Sequence, residues 1–242
     1  RWDSYNYVGE IAYDDNGNTL SRSGRTYDYD EFNQITNVSG DFSASYSYDA
    51  LGNRHSATRN GVTTNYVLNL LGSTSSVLME TAANGTVQNY YIYGASGLVS
   101  RIDANNNTRY YIYDSRGSTV AMTDASTSAN ITHKYQYDDF GKLLQSEEAD
   151  FNPFRFVGQY GVMFEDEALT YMRARYYDPK IGRFLSEDPI WSTNLYPYSD
   201  NNPIMLVDPD GNKAKQYFQY IDATMSYYGT ISDIFPSSEN SV

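Results

Sequence analysis

The sequence predicts an all-β protein built from short antiparallel hairpins. Three observations support this prediction: an excess of tyrosine, an abundance of turn-forming residues, and a five-residue element that recurs along the chain. The 242 residues include 26 Tyr but only 10 Phe and 2 Trp. Tyrosine favours strands, because its ring can lie half buried while its hydroxyl stays in water. The 17 Gly, with many Asn, Asp and Ser, provide the turns.

The recurring element is Tyr-Asp-x-x-Gly. Asp at the first position of a type I turn accepts bonds from the backbone ahead of it, and Gly or Asn three residues later tolerates a positive φ, so each copy is expected to close a hairpin. Complete copies lie at 13–17, 48–52, 113–117 and 137–141, weaker ones at 29–33 and 93–97, and a degenerate one at 66–72. Successive hairpins would form one sheet that curves into a partial shell.

Tyrosines alternate with other residues in the strands before each element, as in Tyr46-Ser47-Tyr48. Residues two apart in a strand share a face, so these rings are expected to lie on one side of the sheet. They can serve there as structural packing against the next hairpin. The alternative is a carbohydrate-binding surface, and the pattern alone leaves both roles open.

Charge and composition exclude several kinds of site. A net charge of −13 argues against a nucleic-acid partner and against an anionic membrane surface. The chain has no cysteine, and its two histidines, His55 and His133, are far apart in sequence. We therefore expect no metal site, no cofactor and no Ser-His-Asp triad. No apolar run is long enough to span a membrane. Because the chain begins at Arg1, it is interpreted as part of a longer protein.

A different pattern fills residues 171–211, where three Asp-Pro pairs occur at Asp178, Asp188 and Asp208. Proline fixes its own φ and disfavours helix at the residue before it, so this segment is expected to be rigid and folded back on itself. The acidic run 165–167 that precedes it is expected to be a solvated turn. Residues 213–228 lose the repeat and place apolar side chains at helical spacing, which predicts a short C-terminal helix.

The repeats resemble those of Rhs or YD-repeat proteins, and segments 152–160, 171–179, 182–184 and 201–203 resemble the Rhs-associated core domain. The resemblance implies three regions: a YD-repeat hairpin array (1–150), a plug-like core domain (151–211) and the start of a variable region (212–242). In this family, and in the C components of insecticidal Tc toxins, a hollow β shell encloses a C-terminal toxin. The core domain closes the shell, and in many members it cuts the chain after its last Asp-Pro-x-Gly.

The resemblance also implies a site for self-cleavage. Asp188 and Asp208 match the paired Asp-Pro motifs, Arg183 could hold one carboxylate ionised or orient the loop, and the cut would fall near Asn212-Lys213. Two carboxylates that share one proton can act as base and acid on an attacking water. The alternative is that the Asp-Pro pairs only cap turns.

Two departures from the family pattern bear on that choice. Trp191 stands where the family has glycine after its first Asp-Pro motif, and a tryptophan cannot adopt the positive φ open to glycine. Asn212 stands where leucine is usual. No catalytic activity other than a single-turnover autoproteolysis is expected.

The sequence thus predicts a shell and core segment of a secreted or cell-surface bacterial polymorphic toxin that is delivered to target cells. Expected partners are a C-terminal toxin cargo or the rest of the shell, a secretion or delivery machinery, and a second copy through self-association, because the repeats are fewer than a complete shell uses. The alternative is a non-catalytic surface module that binds carbohydrate or a partner protein.

Overall fold

The computed structural model describes residues 11–72, 74–190, 193–212 and 214–216. Within these ranges the chain forms twenty β-strands and two short 3₁₀ helices, Gly158–Tyr160 and Tyr198–Asn201, and it contains no α-helix. The prediction of an all-β fold is therefore confirmed.

Fourteen strands form one antiparallel sheet in which each strand pairs with the next along the chain. The sheet is therefore a continuous series of hairpins. Its strands are β1 (Ala12–Tyr13), β2 (Thr19–Arg22), β3 (Arg25–Tyr29), β4 (Ile35–Ser39), β5 (Ala44–Tyr48), β6 (Arg54–Arg59), β7 (Val62–Asn69), β8 (Ser76–Ala82), β9 (Val87–Gly94), β10 (Gly97–Asp103), β11 (Thr108–Tyr113), β12 (Thr119–Asp124), β13 (Ile131–Tyr137) and β14 (Leu143–Glu148).

The Tyr-Asp-x-x-Gly elements all lie on one edge of this sheet, because every second connection of such a series returns to the same side. We call this edge the YD rim; its seven turns are 14–18, 30–34, 49–53, 69–75, 94–97, 114–118 and 138–142. In the third turn, Asp49 Oδ1 accepts from the backbone N–H groups of Leu51 and Asn53, both at 2.9 Å. In the degenerate copy Asn69 replaces the aspartate and accepts from the Leu71 N–H at 3.0 Å.

The tyrosines of the repeat lie on the inner face of the sheet. Six of them, at the centres of their strands, are buried: Tyr27, Tyr46, Tyr66, Tyr91, Tyr111 and Tyr135. The tyrosine of the element itself donates its hydroxyl to a backbone carbonyl of an earlier strand, as in Tyr48 to Ile35 (2.7 Å) and Tyr113 to Leu98 (2.7 Å). These bonds explain why tyrosine rather than phenylalanine recurs, and they support the packing role over a sugar-binding one.

Five of the six remaining strands belong to a compact unit, residues 151–211, that we call the plug. It contains a four-stranded sheet of β15 (Met163–Asp166), β16 (Leu169–Met172), β17 (Arg175–Asp178) and β18 (Arg183–Phe184). Downstream, β19 (Leu206–Val207) pairs with β20 (Lys215–Gln216). The predicted C-terminal helix is not seen at its start, where β20 is a strand; the rest of that prediction lies outside the described residues.

The large sheet wraps around the plug. Two adjacent residues of β17 reach opposite ends of the sheet: the Tyr177 hydroxyl donates to the Phe140 carbonyl (2.7 Å) in the turn between β13 and β14, whereas Asp178 pairs with Arg22 of β2. Fourteen flat strands would be about 65 Å wide at the usual strand spacing. One plug strand can touch both ends only because the sheet is curved.

Buried charges fix the plug against the inner face. Glu165 is buried and pairs with Arg54 (2.8 Å) and Arg59 (2.6 Å), and Asp166 pairs with Arg25. The Glu165 carboxylate also accepts from the Tyr46 hydroxyl at 3.1 Å. The expectation of a solvated acidic turn at 165–167 is therefore wrong for its first residue, because the arginines that neutralise it come from β6.

Candidate functional site

The site is centred on Arg175, the first residue of β17. Its side chain is buried, with the guanidinium carbon 3.7 Å from the centre of the Phe184 ring. One guanidinium nitrogen, Nη2, lies 2.7 Å from Asp188 Oδ2 and 3.5 Å from Asp208 Oδ2. A second, Nη1, donates to the Leu195 carbonyl at 3.0 Å. A single arginine thus joins the two aspartates that the sequence singles out.

Residues 173–175, at the turn between β16 and β17, bind the chain segment that follows Asp208. Arg175 Nε donates to the Gly211 carbonyl at 2.5 Å, the Ala174 N–H donates to the Asp210 carbonyl at 3.2 Å, and Arg173 Nη1 donates to the Pro209 carbonyl at 2.6 Å. Three consecutive residues of one turn therefore bind three consecutive carbonyls of another segment. The Gly211 carbonyl oxygen is therefore in contact with the buried guanidinium of Arg175.

A second acidic pair lies beside the first. Burial raises the pKa of the Asp210 carboxyl, but hydrogen bonds with Lys215 and Asp208 and the charge of Lys215 outweigh burial and lower that pKa. A hydrogen bond between two carboxyl groups needs a proton on one of them. Asp208 also accepts from the backbone N–H of Asn212 through Oδ1, at 3.2 Å.

Burial lowers the pKa of the Arg175 guanidinium, and the neighbouring charges of Asp188 and Asp208 oppose that change. Arginine nevertheless stays protonated in proteins, since its ordinary pKa is above 12. A fixed positive charge at a peptide carbonyl can stabilise the negative oxygen that forms when a nucleophile adds to the carbonyl carbon. Arg175 thus brings one positive charge into contact with two carboxyl groups and one peptide carbonyl.

The structure brings together two of the predicted site residues and separates a third. Asp188 and Asp208 share Arg175, whereas Arg183 has an exposed side chain over the Tyr196 ring, 5.1 Å from its centre, and makes no ion pair with either aspartate. Lys213 and Trp191 lie outside the described residues. Arg175 was not predicted as a site residue, although it stands in the quoted motif 171–179; all four residues of its strand are buried, so alternation along the strand gave no signal for it.

Two other features are absent from the described part of the chain, a metal-binding group and a membrane-spanning helix. Among the residues that the structure describes, no group of three or more His, Asp or Glu side chains is placed to hold a metal ion. Over the same residues, no helix has the length and apolar character needed to cross a membrane.

Comparison with known proteins agrees with this architecture. The family model described as teneurin YD-shell matches residues 5–213. The chain is 39% identical over 217 residues to the tRNA3(Ser)-specific nuclease WapA of Bacillus spizizenii, which covers 84% of this chain and 9% of that protein. It is 38% identical over 77 residues to the toxin protein Tse5 of Pseudomonas aeruginosa, which covers 31% of this chain and 6% of that protein.

Among solved structures, the complex TcdB2-TccC3-Cdc42 superposes with a TM-score of 0.63 at 21% identity, over 88% of this chain and 11% of the other. At that identity the likeness concerns the fold. The chain spans only about a tenth of the length of these relatives. The family match covers most of the chain, and the chain belongs to the teneurin YD-shell family, as a YD-repeat protein of the Rhs type.

Proposed function

We propose that this chain is the closing part of a toxin shell and that its plug cuts the chain after Asp-Pro-x-Gly. Its relatives include proteins named as a nuclease and as a toxin, so the whole protein is proposed to be a secreted polymorphic toxin that is delivered to target cells. The regions 1–150, 151–211 and 212–242 would then be shell, plug and the start of the cargo connection. One observation carries the cleavage proposal: Arg175 contacts Asp188, Asp208 and the Gly211 carbonyl at once.

In the proposed reaction a water attacks the carbonyl carbon of the segment held by Arg175. Asp188 takes one proton from the water, and Arg175 stabilises the oxygen as it becomes negative. Asp208, which the proposal takes as protonated, gives its proton to the nitrogen that leaves, so that a carboxylic acid and an amine replace the peptide bond and one water is consumed. Asp210 keeps the proton on Asp208 until it is transferred.

The contacts favour one bond over its neighbour. The carbonyl at Arg175 belongs to Gly211, and the nitrogen that Asp208 contacts belongs to Asn212. These two atoms belong to the Gly211-Asn212 peptide group, and the family resemblance predicts a cut near Asn212-Lys213. We propose hydrolysis within this three-residue segment, with Gly211-Asn212 as the bond that the contacts support.

Intact mass of the freshly purified chain tests the proposal. The wild type is expected to give two fragments, and Asp188→Asn and Asp208→Asn are each expected to stay uncut. Asp200→Asn is the matched control, because Asp200 is an exposed aspartate of the same plug, and it should be cut like the wild type. Fragment masses distinguish the two candidate bonds by one asparagine residue. An uncut wild type, or cutting in both site variants, would contradict the mechanism and leave Asp188 and Asp208 as structural partners of Arg175.

A further inference from the structure

Three neighbouring turns of the YD rim expose a large apolar side chain at the same position, the second after the Asp or Asn that accepts the hydrogen bonds of the turn. These residues are Phe32, Leu51 and Leu71, and their exposed fractions are 76%, 81% and 97%. The turns are two strands apart, so their tips follow one another at intervals of about 10 Å. An exposed apolar row of this kind is uncommon on a soluble surface and marks an interaction site.

The plug covers the rest of the rim. A Cβ added to Gly17, Gly97, Gly117 or Gly141 would lie 2.4–2.6 Å from plug atoms of Glu187, Gln159, Tyr160 or Phe156, respectively. At Gly52, between the exposed turns, the nearest atom to such a Cβ is Gln34 Nε2 at 3.1 Å, which belongs to the rim itself. On this open arc of the rim the plug binds the backbone of one turn, where Arg173 donates to the Ser75 carbonyl at 3.0 and 2.9 Å, and it leaves the three apolar tips open.

The last turn of the rim illustrates what happens to an apolar tip that is covered. Phe140 occupies the same position of its turn and is half buried, since it packs against Gly182 of the plug and its carbonyl accepts from Tyr177. An apolar residue at this position is thus used as a docking contact in the same molecule. The three turns of the open arc also carry an apolar residue at this position, but theirs is exposed.

A groove of about 710 Å³ separates the open arc from the plug. Phe32 and Leu51 line its rim side beside polar residues of the same turns, and Pro189 and Asn212 are among the residues of its plug side. The groove therefore places two exposed apolar side chains opposite the segment that leaves the plug toward the C-terminus. An occupant needs apolar side chains and access to this position beside Asn212.

The chain's own continuation satisfies both conditions. The described structure ends at Gln216, four residues after Asn212. The nineteen residues 217–235 that follow are rich in apolar side chains, namely Tyr217, Phe218, Tyr220, Ile221, Met225, Tyr227, Tyr228, Ile231, Ile234 and Phe235. Even at the helical rise of about 1.5 Å per residue, nineteen residues span about 28 Å, more than the roughly 20 Å between the outer tips. A tether this short gives an effective concentration in the millimolar range, so modest apolar contacts suffice for binding.

We propose that the groove along the open arc of the YD rim is a docking site for segment 217–235 of the same chain, held by Phe32 and Leu51 in the groove and by Leu71 on the adjoining turn. Docking covers the apolar row and keeps the chain beyond Asn212 at the shell whether or not the bond near Asn212 is cut. The proposal goes beyond self-cleavage, since it concerns binding and requires no catalytic residue.

Photo-cross-linking in the full 242-residue chain tests the groove. A benzoyl-phenylalanine is placed at Leu51, and the matched control carries it at Ile112, which is 44% exposed on the outer face of β11. Asp208→Asn in both chains prevents any loss of the downstream segment by cleavage. We expect cross-links within one chain from position 51 to peptides of 217–235, and none to that segment from position 112.

A second readout separates docking from chance proximity. Leu51→Ser with Leu71→Ser is expected to raise amide hydrogen exchange in 217–235 at least fivefold, whereas Ile112→Ser leaves it unchanged. Cross-links from position 51 to another copy of the chain, or to no part of 217–235, would overturn the proposal. Unchanged exchange in the double variant would overturn it as well. Neither result depends on whether the wild type cuts itself.

Discussion

The buried charge network between shell and plug makes the strongest prediction about stability. Glu165→Gln removes the negative charge that lies between Arg54 and Arg59, whose nitrogens are 2.8 and 2.6 Å from its oxygens. The side chains of Glu165 and Arg54 are 0% and 1% exposed, so water cannot replace the lost partner. Breaking one member of a buried ion network costs about 3–5 kcal/mol. With total stabilities of about 5–15 kcal/mol, this loss is a large part of the whole.

Urea unfolding, followed by circular dichroism, measures this loss. At typical slopes for a chain of this size the midpoint should fall by about 1–2 M. Glu167→Gln is the control, because Glu167 makes an exposed pair with Lys180 (3.3 Å), and its stability should change by no more than about 0.5 kcal/mol. Replacing all three members together, by Glu165→Leu, Arg54→Met and Arg59→Leu, should recover most of the stability. If the two glutamine variants unfold at the same urea concentration, the network does not hold the plug as argued.

The pKa of Glu165 also predicts how the stability of the protein depends on pH. Burial raises the pKa of this carboxyl, but the charges of Arg54 and Arg59 outweigh burial and lower it below its ordinary 4.5. The native state therefore binds the proton less readily than the unfolded chain does. The contribution of Glu165 to stability is complete above about pH 4.5 and is lost as the pH falls through the lowered value. Glu165→Gln should accordingly unfold with a flatter dependence on pH below 4.5 than the wild type.

Three further predictions concern single contacts. Gly141→Ala should destabilise the protein more than Gly61→Ala. Both glycines have a positive φ near 80°, but a Cβ at Gly141 would lie 2.5 Å from the buried Phe156 ring, whereas at Gly61 nothing lies within 4 Å. Thermal unfolding measures the difference in stability, which is expected to be about 1–3 kcal/mol. Burial lowers the pKa of His133, so stability should fall as the pH drops below about 6.5, and urea midpoints of His133→Asn should lose that slope. Tyr113→Phe leaves the Leu98 carbonyl without its 2.7 Å donor and should cost about 1–2 kcal/mol in the same urea assay.

The sheet was predictable from sequence because its determinants are local. An aspartate and a glycine three residues apart suffice to form the rim turns, and each turn fixes the pairing of its two strands. The same bonds also occur where the motif is absent: on the opposite rim, Asp103 Oδ1 accepts from the Asn105 and Asn107 N–H groups at 2.9 Å, with Asn106 at φ 66°. That turn was missed because asparagine replaces glycine and no tyrosine precedes it.

Only part of the candidate site could be predicted from sequence, because the fold brings its charged residues together from different parts of the chain. Asp188 and Asp208 stand out in sequence through the prolines that follow them, but several arginines could have joined them. Arg175, which follows the β16–β17 turn, contacts both aspartates, whereas the side chain of Arg183 on the next strand is exposed. Similarly, Glu165 resembles a surface acid until Arg54, more than a hundred residues earlier in the chain, is placed beside it.

The packing of the plug also limits what this segment can enclose. Plug residues pack against the buried tyrosines of the inner face, and the rim groove measures about 710 Å³. A space of that size suits a peptide segment or a small molecule, and a folded protein does not fit in it. Within the described residues the plug therefore fills the curve of the sheet, and the groove lies beside Asp210 and Asn212, the two neighbours of the bound Gly211 carbonyl.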